Sequence, residues 1–367
     1  MDWRVVGLFI MGFLFLTPIS LGVECDYYIT SLPYDITDAG KTYCLNQSLT
    51  TTSYGIKYVN NTFNETYLYC FGNKIIGSGS NVGIIYGTLL ETGKYLKSYD
   101  CVIENFTKGV SSVSSSTLWI ENFMIKDVDI GVYLYEGANN ERIKNSKINA
   151  RSYGVYIYSP ETTTIFGTTV EDCEINASIG IYEYFSSNTF KNNKIYAEIG
   201  YKAGEVDGSN IYNNLFNVSS KYVEISSLRG AIPKFNTTRT KATNIVGGTY
   251  IGGNYWGFWN GSGYSDTCTD GDNDGICDDP LLLTTVDTTD LYDYLPLTTY
   301  IPPTPKRLSQ TNPLFSLFVG LMVPVMYVKW LKEKIEEISP SRILETLIIV
   351  VTIIIVTILL GVFFSVV

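Results

Sequence analysis

Histidine is absent from all 367 residues. With it go the commonest general base, the residue that titrates near neutrality and the commonest metal ligand. Methionine is scarce, and between residues 24 and 300 only Met124 occurs. Positive charge is missing from one long stretch, since no Lys or Arg lies between Lys241 and Lys306. The net charge of −10 excludes the basic footprint of a nucleic-acid-binding protein. The middle of the chain also lacks the apolar period of a helix. What is present instead is Tyr (29) and Gly (32), with Thr, Ile and Val that favour strands. The length fits one long domain or two ordinary ones.

The stretch Ile75 to Phe216 is repetitive. Gly131-Val132-Tyr133-Leu134-Tyr135, Gly154-Val155-Tyr156-Ile157-Tyr158 and Gly180-Ile181-Tyr182-Glu183-Tyr184 are copies of one unit, and Gly200-Tyr201-Lys202-Ala203 is a degraded fourth. Out of phase with them runs a second ladder, Ile103, Ile125, Ile148, Ile175, Ile195 and Phe216, in steps of 22, 23, 27, 20 and 21 residues. Asn- and Asp-rich turns separate the runs. A period of this size with strand-like alternation predicts a solenoid of short parallel strands. The expected fold class is all-β, a right-handed parallel β-helix ectodomain with C-terminal hydrophobic membrane-anchor helices.

Alternation with period two places Val132 and Leu134 inside and stacks two tyrosine columns outside. These are Tyr133, Tyr156, Tyr182 and Tyr135, Tyr158, Tyr184, candidates for contacting glycans or a protein partner because an aromatic ring with a polar tip suits both. They would equally stabilise a strand ladder by stacking. Glu183 breaks the pattern, because it falls in the inward slot of Leu134 and Ile157. A lone buried carboxylate is costly, so the expectation is a local bulge, or a partner such as Lys194 or Lys202.

The ends of the chain read differently. Arg4, the apolar run Val5 to Leu16 and Ser20-Leu21-Gly22 form a secretion signal, so 1–22 is expected to be removed. Residues 23–250 then form the β-helix with its N-terminal cap, 251–300 an acidic C-terminal cap, and 301–313 a proline-rich linker. Residues 314–367 form a membrane anchor, expected as a helical hairpin of 314–330 and 343–367 with its basic loop in the cytoplasm. The alternative is a single span, Leu347–Val367, with the first segment at the interface. Secretion permits disulfides, and the expected pairs are Cys25–Cys44 and Cys268–Cys277. Cys101 and Cys173 share one inward column three rungs apart, too far to bridge, and both are expected as buried thiols. Cys70 has no assigned partner. Eight glycosylation sequons occur, at Asn46, Asn60, Asn64, Asn105, Asn176, Asn217, Asn236 and Asn260.

Within the acidic cap, Asp270, Asp272, Asp274 and Asp278 alternate around Gly275, with the Ile276 carbonyl between them. Oxygen ligands at positions 1, 3, 5, 7 and 9 and a glycine at 6 suit calcium. The usual acidic residue at position 12 is missing, since Leu281 stands there, and Asp279 or Asp266 could substitute. The expected role of Ca2+ is to fold the cap.

Gly253-Asn254-Tyr255-Trp256, the Asp-rich run, Pro280 and Asp293-Tyr294-Leu295-Pro296-Leu297 resemble the ending of secreted archaeal proteins with right-handed parallel β-helix repeats. These are grouped with NosD-type periplasmic copper-binding proteins and the carbohydrate-binding and sugar-hydrolase β-helix domains. The resemblance covers about 75–297 and implies a β-helix ectodomain on a cell surface. The expected function is structural or adhesive, with surface glycans or envelope proteins as partners, in an archaeal-type, S-layer-like envelope. A polysaccharide lyase or glycoside hydrolase is the alternative, and a viral envelope or spike protein a second one. Hydrolysis needs two placed carboxylates. Asp127, Asp129, Glu171, Asp172 and Glu174 are available beside Lys126, Arg142 and Lys144, but no residue is assigned as catalytic. Copper, implied by the NosD name, wants Cys, Met and His, a set this sequence barely holds.

Overall fold

A computed structural model describes residues 22–59, 64–87, 94–113, 116–136, 140–160 and 165–299. The expected signal peptide up to residue 21, the linker, both anchor segments and the Asn60 sequon lie outside the described residues. Among the described residues no helix is long and apolar enough to cross a membrane.

The strands wind into a parallel β-solenoid of about seven turns, each turn adding one strand to each of three sheets. Sheet one stacks Thr42–Cys44, Thr66–Tyr69, Lys94–Tyr99, Ser116–Glu121, Arg142–Lys144, Ile165–Glu171, Ser186–Lys191 and Asn210–Tyr212. Five long strands each bend from sheet two into sheet three: Met124–Tyr135, Lys147–Tyr158, Glu174–Tyr184, Lys194–Val206 and Leu215–Leu228. Before them come Leu49–Thr50, Lys74–Ile76 and Val102–Glu104 in sheet two, and Tyr34–Ile36, Ile56–Tyr58, Val82–Tyr86 and Lys108–Val113 in sheet three. The last strand of sheet two is Tyr255–Phe258.

The isoleucine ladder is the inner column of sheet two. Ile75, Ile103, Ile125, Ile148, Ile175, Ile195 and Phe216 pair rung to rung and are fully buried. Each is stabilised by roughly 1.5–3 kcal/mol of apolar burial. The glycine that opens each repeat is required by this ladder. A Cβ on Gly131 would stand 2.2 Å from the Ile148 Cγ2 and 2.5 Å from the Gly154 carbonyl oxygen of the next coil. The Asn/Asp turns are explained too: Asp100, Asn122, Asn145, Asp172, Asn192 and Asn213 all adopt positive φ, between 45° and 60°, the region these two residue types tolerate best. Their side chains hydrogen-bond along the outside, Asn145 donating to Asn122 and Asn122 to Asp100, then Asn213 to Asn192 and Asn192 to Asp172.

Both ends are closed. Cys25 is bonded to Cys44 at the N-terminal end, as expected. At the other end Trp256 stacks on Phe216 at 4.6 Å between ring centroids and donates its indole N–H to Asp293 Oδ2 at 2.8 Å. Asp293 is fully buried and also accepts the Asn254 and Leu295 amides. Burial pushes its carboxyl up to about 7. Asn254 ends an internal amide ladder, accepting from Asn214, which accepts from Asn193. The Gly-Asn-Tyr-Trp stretch is therefore the plug of the solenoid.

Two expectations are corrected. Cys101 is not a free thiol, because it is bonded to Cys70, with Cα atoms 4.7 Å apart. Cys70 lies one coil away, where the Cys70 amide bonds the Tyr99 carbonyl, and only Cys173 stays free and buried. Glu183 neither slips phase nor meets a lysine. It pairs in register with Ile157 and Ala203, is fully buried, and accepts hydrogen bonds from Tyr201, Asn188, Ser186 and Ser209.

Candidate functional site

The six outer tyrosines form a plate on sheet three, half-buried and in register. Centroid distances along the first column are 5.3 Å for Tyr133–Tyr156 and 4.8 Å for Tyr156–Tyr182. Along the second they are 5.9 Å for Tyr135–Tyr158 and 5.1 Å for Tyr158–Tyr184. The rings lie within 8–18° of parallel. At this separation they are offset-stacked, so each ring face is shared with its neighbour and the plate turns edges and phenol hydroxyls outward. One end is closed by Lys108, whose Nζ sits 3.4 Å from the Tyr133 centroid, a cation–π contact. Burial and the neighbouring phenols raise the hydroxyls of Tyr133, Tyr156 and Tyr182 above their ordinary range.

In the acidic cap the structure brings together Asp270, Asp272 and Asp278, with one carboxylate oxygen of each within 4.8 Å of the others. Asp270 is pre-oriented, because it accepts the Asp274 and Gly275 amides at 3.0 and 2.9 Å. Asp274 itself turns away to an ion pair with Arg239 and accepts the Ile276 amide. Cys268 and Cys277 are bonded across the loop, as expected.

The carboxylates weighed for catalysis are dispersed. Glu171 is clamped by Arg142 and, at 3.0 Å, by Lys191, which hold its carboxyl below the usual range against the opposing effect of burial. Asp129 pairs with Arg151 and Glu174 with Lys147, both at 2.6 Å. Asp172 belongs to the outer amide ladder, and Asp127 takes a positive φ at a bend.

Pattern reasoning missed Glu141, buried at the corner between sheets three and one. It accepts from the Ser112 hydroxyl at 3.0 Å and from the Leu118 amide, and burial raises its carboxyl well above the usual range. It belongs to a polar seam that includes Tyr86 donating to Ser98 at 2.6 Å and the Glu183 cluster. The signal was present as non-aliphatic residues in one inner column: Tyr58, Tyr86, Ser112 and Glu183. Of the sequon asparagines, Asn46, Asn64, Asn105, Asn176 and Asn260 are exposed, whereas Asn217 and Asn236 are half-buried.

The fold defines a parallel β-helix repeat protein. The profile of one family, described as periplasmic copper-binding protein (NosD), matches residues 36–261. That is more than half of the chain, which belongs to this family. No curated protein and no solved structure gives a significant match.

The copper in the family's description has no fitting donor set here. There is no histidine. Six of the seven cysteines are in disulfides, and burial pushes the Cys173 thiol up to about 12. Met124 stands exposed on sheet two, where its register neighbours are Val102 and Lys147. Soft copper sites need several such ligands converging, and among the described residues the one converging group is the all-oxygen Asp270–Asp272–Asp278 set.

Proposed function

We propose that this protein is a surface β-helix with a structural or adhesive role, held to a membrane by its C-terminal segments 314–330 and 343–367. The observation that carries the reading is the tyrosine plate. Three successive coils repeat the same pair of rings, and the hydroxyls of Tyr133, Tyr135, Tyr156 and Tyr158 make no hydrogen bond among the described residues. Such a row suits glycans or an envelope protein as partners. The closed ends and clamped outer carboxylates suit a rigid scaffold. In this reading the envelope is of archaeal type, the sequons carry glycans, and Asp270, Asp272 and Asp278 hold a structural Ca2+ that ties the cap together.

Binding of the full-length chain to a glycan array and to envelope fractions tests it. Retention that is lost when Tyr133, Tyr156 and Tyr182 are replaced by Ala is expected. Absence of any retention would remove the adhesive role, and release of reducing ends or unsaturated sugars would favour a polysaccharide-degrading enzyme instead.

A further inference from the structure

Of the cavities that open on the outside of the solenoid among the described residues, two have polar groups already engaged with one another. The cavity of about 240 Å³ at Arg142 is occupied by the Glu171 clamp. The one of about 280 Å³ at Asp172 holds the Lys147–Glu174 pair and the Asn192–Asp172 bond.

A third differs. It is a groove of about 570 Å³ at the end of sheet one, lined by Asn210, Tyr212, Lys234, Asn236, Tyr294 and their neighbours. Among the described residues the Asn210 amide, the Tyr294 hydroxyl and the Lys234 ammonium make no hydrogen bond or ion pair, and the Tyr212 hydroxyl interacts electrostatically with Lys191. Lys234 is therefore a cation without an acidic partner among the described residues, on a chain of net charge −10. Tyr294 is 62% exposed, yet its backbone is pinned on both sides. Asp293 before it is the buried plug carboxylate, and the Leu295 carbonyl after it accepts the Gly253 amide at 2.8 Å. Lys234 is likewise fixed, pairing with Asn210 as an extra rung of sheet one. Here the ring stands exposed at the edge of a cavity with one tilted neighbour, Tyr292 at 5.5 Å between centroids, rather than inside a run of near-parallel rings as in the plate.

A preformed groove of this size suits a small ligand. Exposed aromatic surface surrounded by amide, hydroxyl and ammonium ends matches a molecule with apolar C–H faces and many hydroxyls. We infer that this groove is a saccharide-binding site, with Tyr294 and Tyr212 against the sugar rings, Asn210 on hydroxyls and Lys234 selecting a carboxylated sugar. The site goes beyond the tyrosine plate and does not depend on it. The saccharide has two possible sources, a free chain or the glycan on Asn236, whose sequon Asn236-Thr237-Thr238 forms one wall.

Calorimetry of the full-length chain produced without glycosylation, titrated with tetragalacturonate and with cellotetraose, tests the inference. Tetragalacturonate is expected to bind more tightly. Tyr294→Ala and Lys234→Ala should each weaken it roughly tenfold without changing the melting temperature, because both side chains are exposed. In parallel, glycopeptides of chain from its native host report on Asn236. A glycan there that an endoglycosidase removes faster from the Tyr294→Ala variant assigns the groove to the chain's own sugar, and unmodified Asn236 with tetragalacturonate binding assigns it to a free one. The inference is overturned if neither tetrasaccharide binds and Tyr294→Ala leaves glycan release unchanged. It is also overturned if binding is lost on Tyr156→Ala but not on Tyr294→Ala.

Discussion

Replacing Glu183 separates two views of the solenoid core. Pattern alone treats position 183 as a misplaced carboxylate in a column with Leu134 and Ile157, so that Glu183→Leu should stabilise. The structure says the opposite. Leucine removes the acceptor of four donors, on Tyr201, Asn188, Ser186 and Ser209, and each buried unsatisfied donor costs about 1–3 kcal/mol. Even with partial rearrangement, a loss of at least about 3 kcal/mol is expected. Glu183→Gln behaves differently, because its oxygen still accepts from Asn188, Ser186 and Ser209, and only the Tyr201 bond reverses, the new amide N–H donating to the phenol oxygen as the O–H of a neutral acid does. Burial raises the Glu183 carboxyl in the folded chain. The unfolded state therefore ionises first, from about pH 4.3, and wild-type stability falls as pH rises, until the folded carboxyl also ionises. Across that window the Gln variant should gain on wild type by up to about 1.4 kcal/mol per pH unit, with little difference below pH 4. Chemical unfolding of the three proteins at pH 4, 5.5 and 7 reads both effects. A Leu variant more stable than wild type, or a Gln advantage that does not grow with pH, would refute the reasoning.

Breaking the Cys70–Cys101 link with paired serines should cost about 2–4 kcal/mol, read by unfolding under non-reducing conditions; an unchanged midpoint would deny the bond a structural role. Gly154→Ala places a Cβ 2.2 Å from the Ile175 Cγ2 and 2.6 Å from the Gly180 carbonyl oxygen, so a loss of about 1–3 kcal/mol is expected, and a neutral result would mean that the coils can separate at little cost. Calcium at about 100 times its Kd should stabilise the chain by about 2.7 kcal/mol. Asp272→Asn should weaken that gain, and the absence of any calcium-dependent melting shift would dismiss the cap site.

Much of the architecture was legible because a solenoid repeats a local rule. The glycine of each unit, the aliphatic columns and the Asn turns recur at the same place in every coil, and each has a local cause in sterics or backbone conformation. Cys25–Cys44 and Cys268–Cys277 were readable for the same reason, as short loops at two ends. The Cys70–Cys101 bond was not, because it depends on which coil lies beneath which corner, and the 28-residue step from Ile75 to Ile103 obscures that. The calcium loop was legible as spacing, but the departure of Asp274 to Arg239 follows from a chain segment more than thirty residues earlier in the sequence.

By itself the sequence determined the strand period, the inward and outward columns and the chemistry the chain lacks, since these depend on residue type and on alternation along one strand. Only the tertiary structure decided what a discordant residue meets. Glu183 is tolerated because Tyr201 arrives from the next coil and Ser209 from the one after. The tyrosine rings turn edges rather than faces outward because the coil spacing forces them to overlap. The uncommitted groove at Tyr294 exists because the cap returns across the end of sheet one. Each of these outcomes rests on contacts between residues on different coils, and no periodicity within one strand encodes them.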